Sequence, residues 1–320
     1  MPVRLSTYLK NTYGEKVYRL SLSSGCGCPN RDGSICYATN IDEYYFGELN
    51  EGDERITGGC IFCSEGGSGE FASQIDEAKA LIRKKTDARK FIAYFQSFTN
   101  TYGDVDRLRA LYMDAIRQDD IVALSLGTRP DCLGSEVMDM LKELNTIKPV
   151  WIELGLQTIH ENTARYINRG YKLKTFEDAY RRLKEAGITV IVHVIFGLPG
   201  ETREDMLETV KYLSNLKPVL DGIKLQNLQI LKGTALYDIY RDMFEDGTKS
   251  HEDKRPSLHV FSLDEYCDLV EEAIALLPKE TVVHRMTGDG PRRLLVVPLW
   301  SLDKKRVLNT MNHRVDKLFD

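Results

Sequence analysis

Short runs rich in β-forming residues alternate with stretches of helical apolar spacing along most of the chain, and this alternation constrains its fold more than any other feature. The β-rich runs fall at 17–22, 91–96, 121–126, 150–156, 188–196 and 222–230. Helical spacing follows at 104–117, 135–144, 175–186, 203–213 and 263–277. Thr202 and Ser262 stand three residues before Asp205 and Glu265, the spacing of a capping box, and Gly187 ends another helix. Strands that alternate with helices pair in parallel. About six such units imply a partial or full β/α barrel, with a doubly wound open sheet as the competing layout. Either layout puts the chemistry at the C-terminal ends of the strands.

The sequence has no apolar stretch long enough to cross a membrane and no apolar signal core near its start. A cytoplasmic protein without a membrane partner is expected. The net charge of −5 argues against wholesale coating by nucleic acid but permits a local basic surface. Of the seven cysteines, Cys26, Cys28, Cys36, Cys60 and Cys63 crowd into the first fifth of the chain. In a reducing compartment such a cluster reads as metal or redox chemistry rather than disulfides. Cys60 and Cys63 form a Cys-x2-Cys pair. A third thiolate from Cys28 would leave a four-iron cluster with one iron open to a small molecule. A structural zinc site built from four of the thiols is the alternative, and spacing alone does not separate the two. Cys26 and Cys36 are spare thiols or further ligands, and Cys132 and Cys267 read as ordinary buried cysteines. The acidic, tyrosine-rich segment 34–57 reads as a loop insertion.

Polar residues gather where the strands should end: Gln96 and Asn100, then Arg129, then Glu153 and Gln157 with Arg169 a dozen residues on. His193 precedes the glycine turn of Gly197 and Gly200, and Lys224, Gln226 and Gln229 follow. A buried polar group costs free energy unless it is paired, so repeated placement at strand ends points to a site.

The motifs CPNRDG…GGCIFC, YFQSFTNTY, GTRPDC, ELGLQT, INRGY, GLPGETRE, LKGT and HRMTGDGPR…LLVVPLWSL resemble those of radical S-adenosylmethionine proteins. More narrowly, they resemble the bacterial group related to the radical domain of the Elongator catalytic subunit. The resemblance implies a partial (β/α)6 barrel of the radical S-adenosylmethionine type, with an N-terminal cluster-binding loop and a small C-terminal extension. The core would span 1–235, with the insertion at 34–57. Residues 236–320 would form a helical extension that closes the barrel without being an independent domain. Cys28, Cys60 and Cys63 would hold a [4Fe–4S] cluster. Its open iron would take the amino and carboxylate groups of S-adenosylmethionine, and one electron would release a 5′-deoxyadenosyl radical. Gln157, Arg169 and His193 would touch the cofactor, with Gln96, Asn100, Arg129, Gly197 and Gly200 as further contacts. No catalytic residue beyond these is assigned. Relatives have a short gap between the first cysteine and the pair, whereas here 31 residues separate Cys28 from Cys60. Cys26 or Cys36 is therefore a rival for the first ligand, although CPNRDG surrounds Cys28.

The resemblance also points to transfer RNA as substrate. The carboxymethylaminomethyl side chain on carbon 5 of the wobble uridine would be remodelled to aminomethyl, with flavodoxin or ferredoxin as electron donor. Two basic groups support an RNA partner: Arg165, Arg169, Lys172, Lys174, Arg181, Arg182 and Lys184, and then Arg292, Arg293, Lys304, Lys305, Arg306, Arg314 and Lys317. Tyr166, Tyr171 and Trp300 are expected to stack on an unpaired base. The run from His284 to Asp289 is too polar for a core strand and should close the barrel mouth or meet the substrate. The competing readings are a radical enzyme acting on a small metabolite or a protein, and a non-catalytic zinc- or cluster-stabilised binding protein.

Overall fold

The computed structural model describes residues 2–64, 75–245 and 254–319. Eight strands form one all-parallel sheet: β1 (Val3–Arg4), β2 (Val17–Leu22), β3 (Lys90–Phe95), β4 (Ile121–Thr128), β5 (Val150–Gln157), β6 (Thr189–Phe196), β7 (Gly222–Asn227) and β8 (Val282–Arg285). Their order is β1-β8-β7-β6-β5-β4-β3-β2, and the sheet curls into a half-barrel. The six expected strands are β2 to β7. β1 and β8 extend the sheet beyond β7. β1 is too short for a pattern to show, and β8 ends on His284 and Arg285, residues the sequence reading kept out of a strand.

The helices Val105–Ile116, Ser135–Ile147, Leu173–Glu185, Arg203–Ser214 and Leu263–Ala275 follow the strands as the apolar spacing predicts. Thr202 and Ser262 both close complete capping boxes. Gly187 adopts φ +70°, a left-handed stop that a side chain would oppose.

Strand residues alternate between two environments. Leu20, Phe95, Leu126, Leu154, Val192 and Leu225 face the helices in the main core. The opposite faces line the barrel interior. At its N-terminal end Val17, Ile92, Ala123, Trp151 and Ile191 pack with Leu9 from the helix Leu5–Tyr13, so that this helix plugs the barrel floor.

The segment 34–57 is not an irregular loop. Ile35–Ala38 runs antiparallel between Glu43–Phe46 and Glu54–Ile56 as a three-stranded sheet. Ile35 and Cys36 on its central strand are buried, which gives the sheet a small core of its own. Asp42 ties the sheet to the barrel through Lys172 and Arg165. The chain after residue 235 is not purely helical either. It supplies β8 and the short strand Leu295–Val297, which pairs antiparallel with Ile230–Leu231. The helix Lys304–Val315 bonds to Leu263–Ala275 through Arg314, which reaches Asp264 and Asp268. No helix of the described residues is long and apolar enough to cross a membrane.

The cap at Ser262 is open to a direct check. Ser262→Ala removes the acceptor for the Glu265 backbone N–H and should lower unfolding free energy by about 1 kcal/mol in a denaturant titration, with no change in the m-value.

Candidate active site

The C-terminal half of the barrel encloses a cavity of about 300 Å³, within the usual size of a ligand site. The side chains that line it come in layers, because residues two apart on a strand share a face.

The deepest layer is ionised. Glu153 on β5 is completely buried, as is Lys224 on β7, and the two form an ion pair. The Glu153 carboxylate also accepts from Tyr94 Oη at 2.7 Å, Ser125 Oγ at 3.1 Å and His193 Nε2 at 3.0 Å. Lys224 donates to Tyr94 Oη at 2.8 Å as well. Burial alone would raise the Glu153 carboxyl, but Lys224 and His193 hold it well below the usual carboxylate range. Burial and the Lys224 charge lower the His193 imidazole. Burial and Arg19 lower His284 further, and Arg19 donates to its Nδ1 at 3.3 Å.

His193, Lys224 and Arg285 are register partners on β6, β7 and β8, so they form one row across the sheet. The register shifts between Ile223 and Lys224, and Val283 is followed in the pairing by Arg285. This bulge explains why two successive polar residues both belong to the interior: Arg285 lines the cavity, and His284 packs edge-on against Trp151.

One step closer to the mouth the lining is neutral, with Gln96, Gly127, Gln157, Ile195 and Gln226. Gln157 holds a left-handed φ of +66° beside a second register shift, a strained conformation of the kind found at ligand sites.

At the mouth stand the thiols of Cys28, Cys60 and Cys63. Cys28 ends the connection after β2 and precedes the one-turn helix Pro29–Asp32. Asn30 and Arg31 from that turn gather the other two cysteines. The Asn30 amide donates to Asn168 O at 2.6 Å and faces Cys60 Sγ at 3.6 Å, and Arg31 donates to the carbonyls of Cys63 and Ser64. Asn168 reaches back to the carbonyls of Thr57 and Gly59. The 31-residue separation is thus bridged by side chains that grip backbone. Cys26 and Cys36 do not line the cavity. Cys26 contacts Arg107, and the Cys36 thiol points at Gly47 O.

The three thiols fit a soft metal group. Burial pushes Cys60 up to about 12 and raises Cys63, and a bound soft cation would hold both as thiolates. Three thiols at one mouth are a soft donor set of the kind that holds an iron–sulfur cluster with one open iron. When bound, a cluster with an open iron would supply one electron to a ligand seated above it.

Gln96, Arg129, Gln157 and His193 line the same cavity as the cysteines. Four other expected contacts lie outside it. Asn100 is fully buried and donates to the carbonyls of Phe95 and Gly127 while accepting from Ser24, so it staples strand ends together. Arg169 is fully buried and spends its guanidinium on the carbonyls of Leu156, Thr158 and Tyr171 and on Glu161. Gly197 and Gly200 form a turn packed beneath Phe261 and Pro256, away from the cavity. Arg129 chelates Asp131 and donates to the carbonyls of Arg169 and Gly170. The expected stacking aromatics are also occupied. Tyr171 lies under Arg129 and Arg169, Tyr166 meets Tyr240, and Trp300 stacks on Tyr266 and donates to Phe261 O.

Tyr94, Glu153 and Lys224 are site residues to which the sequence assigns no role, whereas Arg285 lies in the run expected to close the mouth or meet the substrate. Glu153 and Lys224 stood out as polar residues on apolar strands. Tyr94 had no such signal, since a tyrosine is ordinary in a strand.

Comparison with known proteins decides the family. The Radical SAM superfamily model matches residues 55–213, and the Radical_SAM C-terminal domain model matches 220–317. The chain is 37% identical over 320 residues to YtqA of Bacillus subtilis, covering 98% of this chain and 88% of that protein. It is 33% identical to YhcC of Escherichia coli K12, over 91% and 85% of the two chains. The protein belongs to the radical S-adenosylmethionine superfamily. It is an enzyme of that superfamily related to the radical domain of Elongator complex protein 3. The Drosophila melanogaster Elongator protein is 29% identical over 54% of this chain and 29% of its own length. The archaeal Elp3 structure from Methanocaldococcus infernus shares the fold, with a TM-score of 0.58 at 18% identity over 73% of this chain and 57% of that one. The family implies S-adenosylmethionine and a [4Fe–4S] cluster, and the three thiols at the mouth are the residues that would hold the cluster.

Two substitutions separate the parts of this site. Cys63→Ala should abolish the cluster's visible absorbance after reconstitution while leaving the far-ultraviolet circular dichroism unchanged. Lys224→Met leaves the Glu153 charge buried without its partner and should cost about 3–5 kcal/mol in urea unfolding. The double variant with Glu153→Gln should recover part of that loss.

Proposed function

We propose that this radical S-adenosylmethionine enzyme modifies transfer RNA, remodelling the carboxymethylaminomethyl group on carbon 5 of the wobble uridine to aminomethyl, with flavodoxin or ferredoxin as electron donor. The likeness to the Elongator radical domain supports an RNA substrate, and the distribution of unpaired basic charge at the mouth carries the reading. Apart from the exposed Lys174, the first basic group is spent on internal partners. Arg165 and Lys172 hold Asp42, Arg181 holds Asp178 and Glu185, Arg182 meets Asp178, and Lys184 meets Asp221. Arg169 is buried. This group is a solvated helix face rather than a docking surface.

The second group differs. Arg314 and Lys317 pair with acids of the helix Leu263–Ala275, and Lys304 pairs with Asp289. Among the described residues, Arg292, Arg293, Lys305 and Arg306 have no carboxylate partner. Arg292 directly follows Asp289, Gly290 and Pro291, which line the cavity. Arg292 also shares a surface hollow with Lys304 and Lys305. Free cations at the rim of a deep cavity suit a folded polyanion that inserts one group into it.

Nucleoside mass spectrometry of bulk transfer RNA, with and without the gene, tests the reading. Loss of the gene should accumulate carboxymethylaminomethyluridine and deplete aminomethyluridine and its methylated product. An unchanged profile in a strain lacking a second such enzyme rejects the reading. The joint variant Arg292→Ala and Arg293→Ala should weaken transfer RNA binding for all sequences and reduce the slope of log K against log salt by about 2.

A further inference from the structure

The deepest layer of the cavity carries more positive than negative charge. Arg19 lies over the Tyr94 ring at 5.5 Å, Lys224 donates to the Tyr94 hydroxyl and Arg285 is the register partner of Lys224, whereas Glu153 is the carboxylate that pairs with Lys224. Burial holds the imidazoles of His193 and His284 below their ordinary range. Asp289 also lines the cavity, but its carboxylate is bound to Lys304 at 2.5 Å. Glu153 is already saturated by Tyr94, Ser125, His193 and Lys224. Arg285 is half-buried on the cavity wall and has no carboxylate partner among the described residues. A guanidinium on the cavity wall, beside the Lys224–Glu153 pair and with no acid of its own, is complementary to a ligand anion.

We propose that the inner end of the cavity is a carboxylate subsite in which Arg285 and Lys224 hold a carboxylate of the substrate rather than that of S-adenosylmethionine. The proposal rests on the transfer RNA reading above for the identity of the substrate and on this structure for the site. The layering assigns the source. The cysteines stand at the mouth, and the neutral layer of Gln96, Gln157 and Gln226 separates them from the row of His193, Lys224 and Arg285. Two residues along a strand are about 6.6 Å. If Cys28, Cys60 and Cys63 hold a cluster with an open iron, S-adenosylmethionine would be seated beside them, and the deeper cations would remain for a second molecule. The carboxymethylaminomethyl side chain ends in a carboxylate, and its product lacks one. The subsite would therefore discriminate substrate from product and fix the carbon between nitrogen and carboxylate beneath the cofactor.

Calorimetric titration of the cluster-reconstituted protein in the presence of S-adenosylmethionine tests this. The probes are 5-carboxymethylaminomethyluridine and 5-aminomethyluridine nucleosides and N-methylglycine, a bare fragment of the side chain. The expected result is a preference of about tenfold or more for the carboxylated nucleoside in the wild type. Arg285→Gln should abolish that preference and Arg285→Lys should restore part of it, with both variants keeping the wild-type melting temperature within a few degrees. Equal weakening of both nucleosides by Arg285→Gln overturns the subsite, as does a wild type that binds none of the carboxylates. If Arg285→Gln weakens S-adenosylmethionine and leaves the nucleoside preference intact, the carboxylate is the cofactor's and the assignment is overturned. If N-methylglycine binds in an Arg285-dependent manner and neither nucleoside binds, the subsite stands and the uridine reading fails.

Discussion

The carboxylate of Glu153 joins five strands of the barrel through one side chain. It accepts from Tyr94 on β3, Ser125 on β4, His193 on β6 and Lys224 on β7, and it is itself carried by β5. A charge in so dry a place is tolerable because four donors, one of them a cation, surround the carboxylate. The geometry of the barrel therefore cannot relax locally. Moving any one of these strands breaks a bond to a buried ion, and the cavity above inherits that rigidity. Below the ion, the apolar plug of Leu9, Ile92, Trp151 and Ile191 keeps water from entering at the floor.

The mouth is organised by a different device. Buried arginines and asparagines hold backbone carbonyls and thereby bring distant segments of chain together. Arg169 fixes the end of β5, Arg129 fixes Arg169 and Gly170, and Asn168 and Asn30 bind the cysteine segment to the same turn. The long insertion between Cys28 and Cys60 folds as a sheet of its own outside this framework. Its length therefore costs the site little, since loop closure depends only weakly on the number of residues enclosed. The result is a site graded from soft thiols at the rim, through neutral amides, to a charged floor.

Much of the fold was legible because it depends on local pattern. Six strands and five helices follow from apolar periodicity, and two capping boxes follow from residues three apart. The cysteines were legible because few chemistries need thiols at that spacing. Arg169 and Asn100 lie outside the cavity and bond backbone carbonyls, for a physical reason. A polar side chain near a strand end serves a ligand or a backbone carbonyl equally well, and only the direction of the side chain distinguishes them. The basic groups show the same limit. Two runs of similar composition differ because acids from distant segments, such as Asp42 and Asp221, reach the first and none reaches Arg292 and Arg293.

The sequence by itself determined the alternation of strands and helices, the Cys60–Cys63 pair and the motifs that mark the family. Each is a matter of residue type at short separation, where periodicity and covalent spacing limit the outcomes. The tertiary structure decided which charges remain free. It folded β8 against β7 with a bulge that brings His284 and Arg285 inside, and it saturated Glu153 with neighbours drawn from four other strands. Whether a buried charge is paired depends on long-range contacts, because electrostatic compensation acts between groups close in space however far apart they lie along the chain.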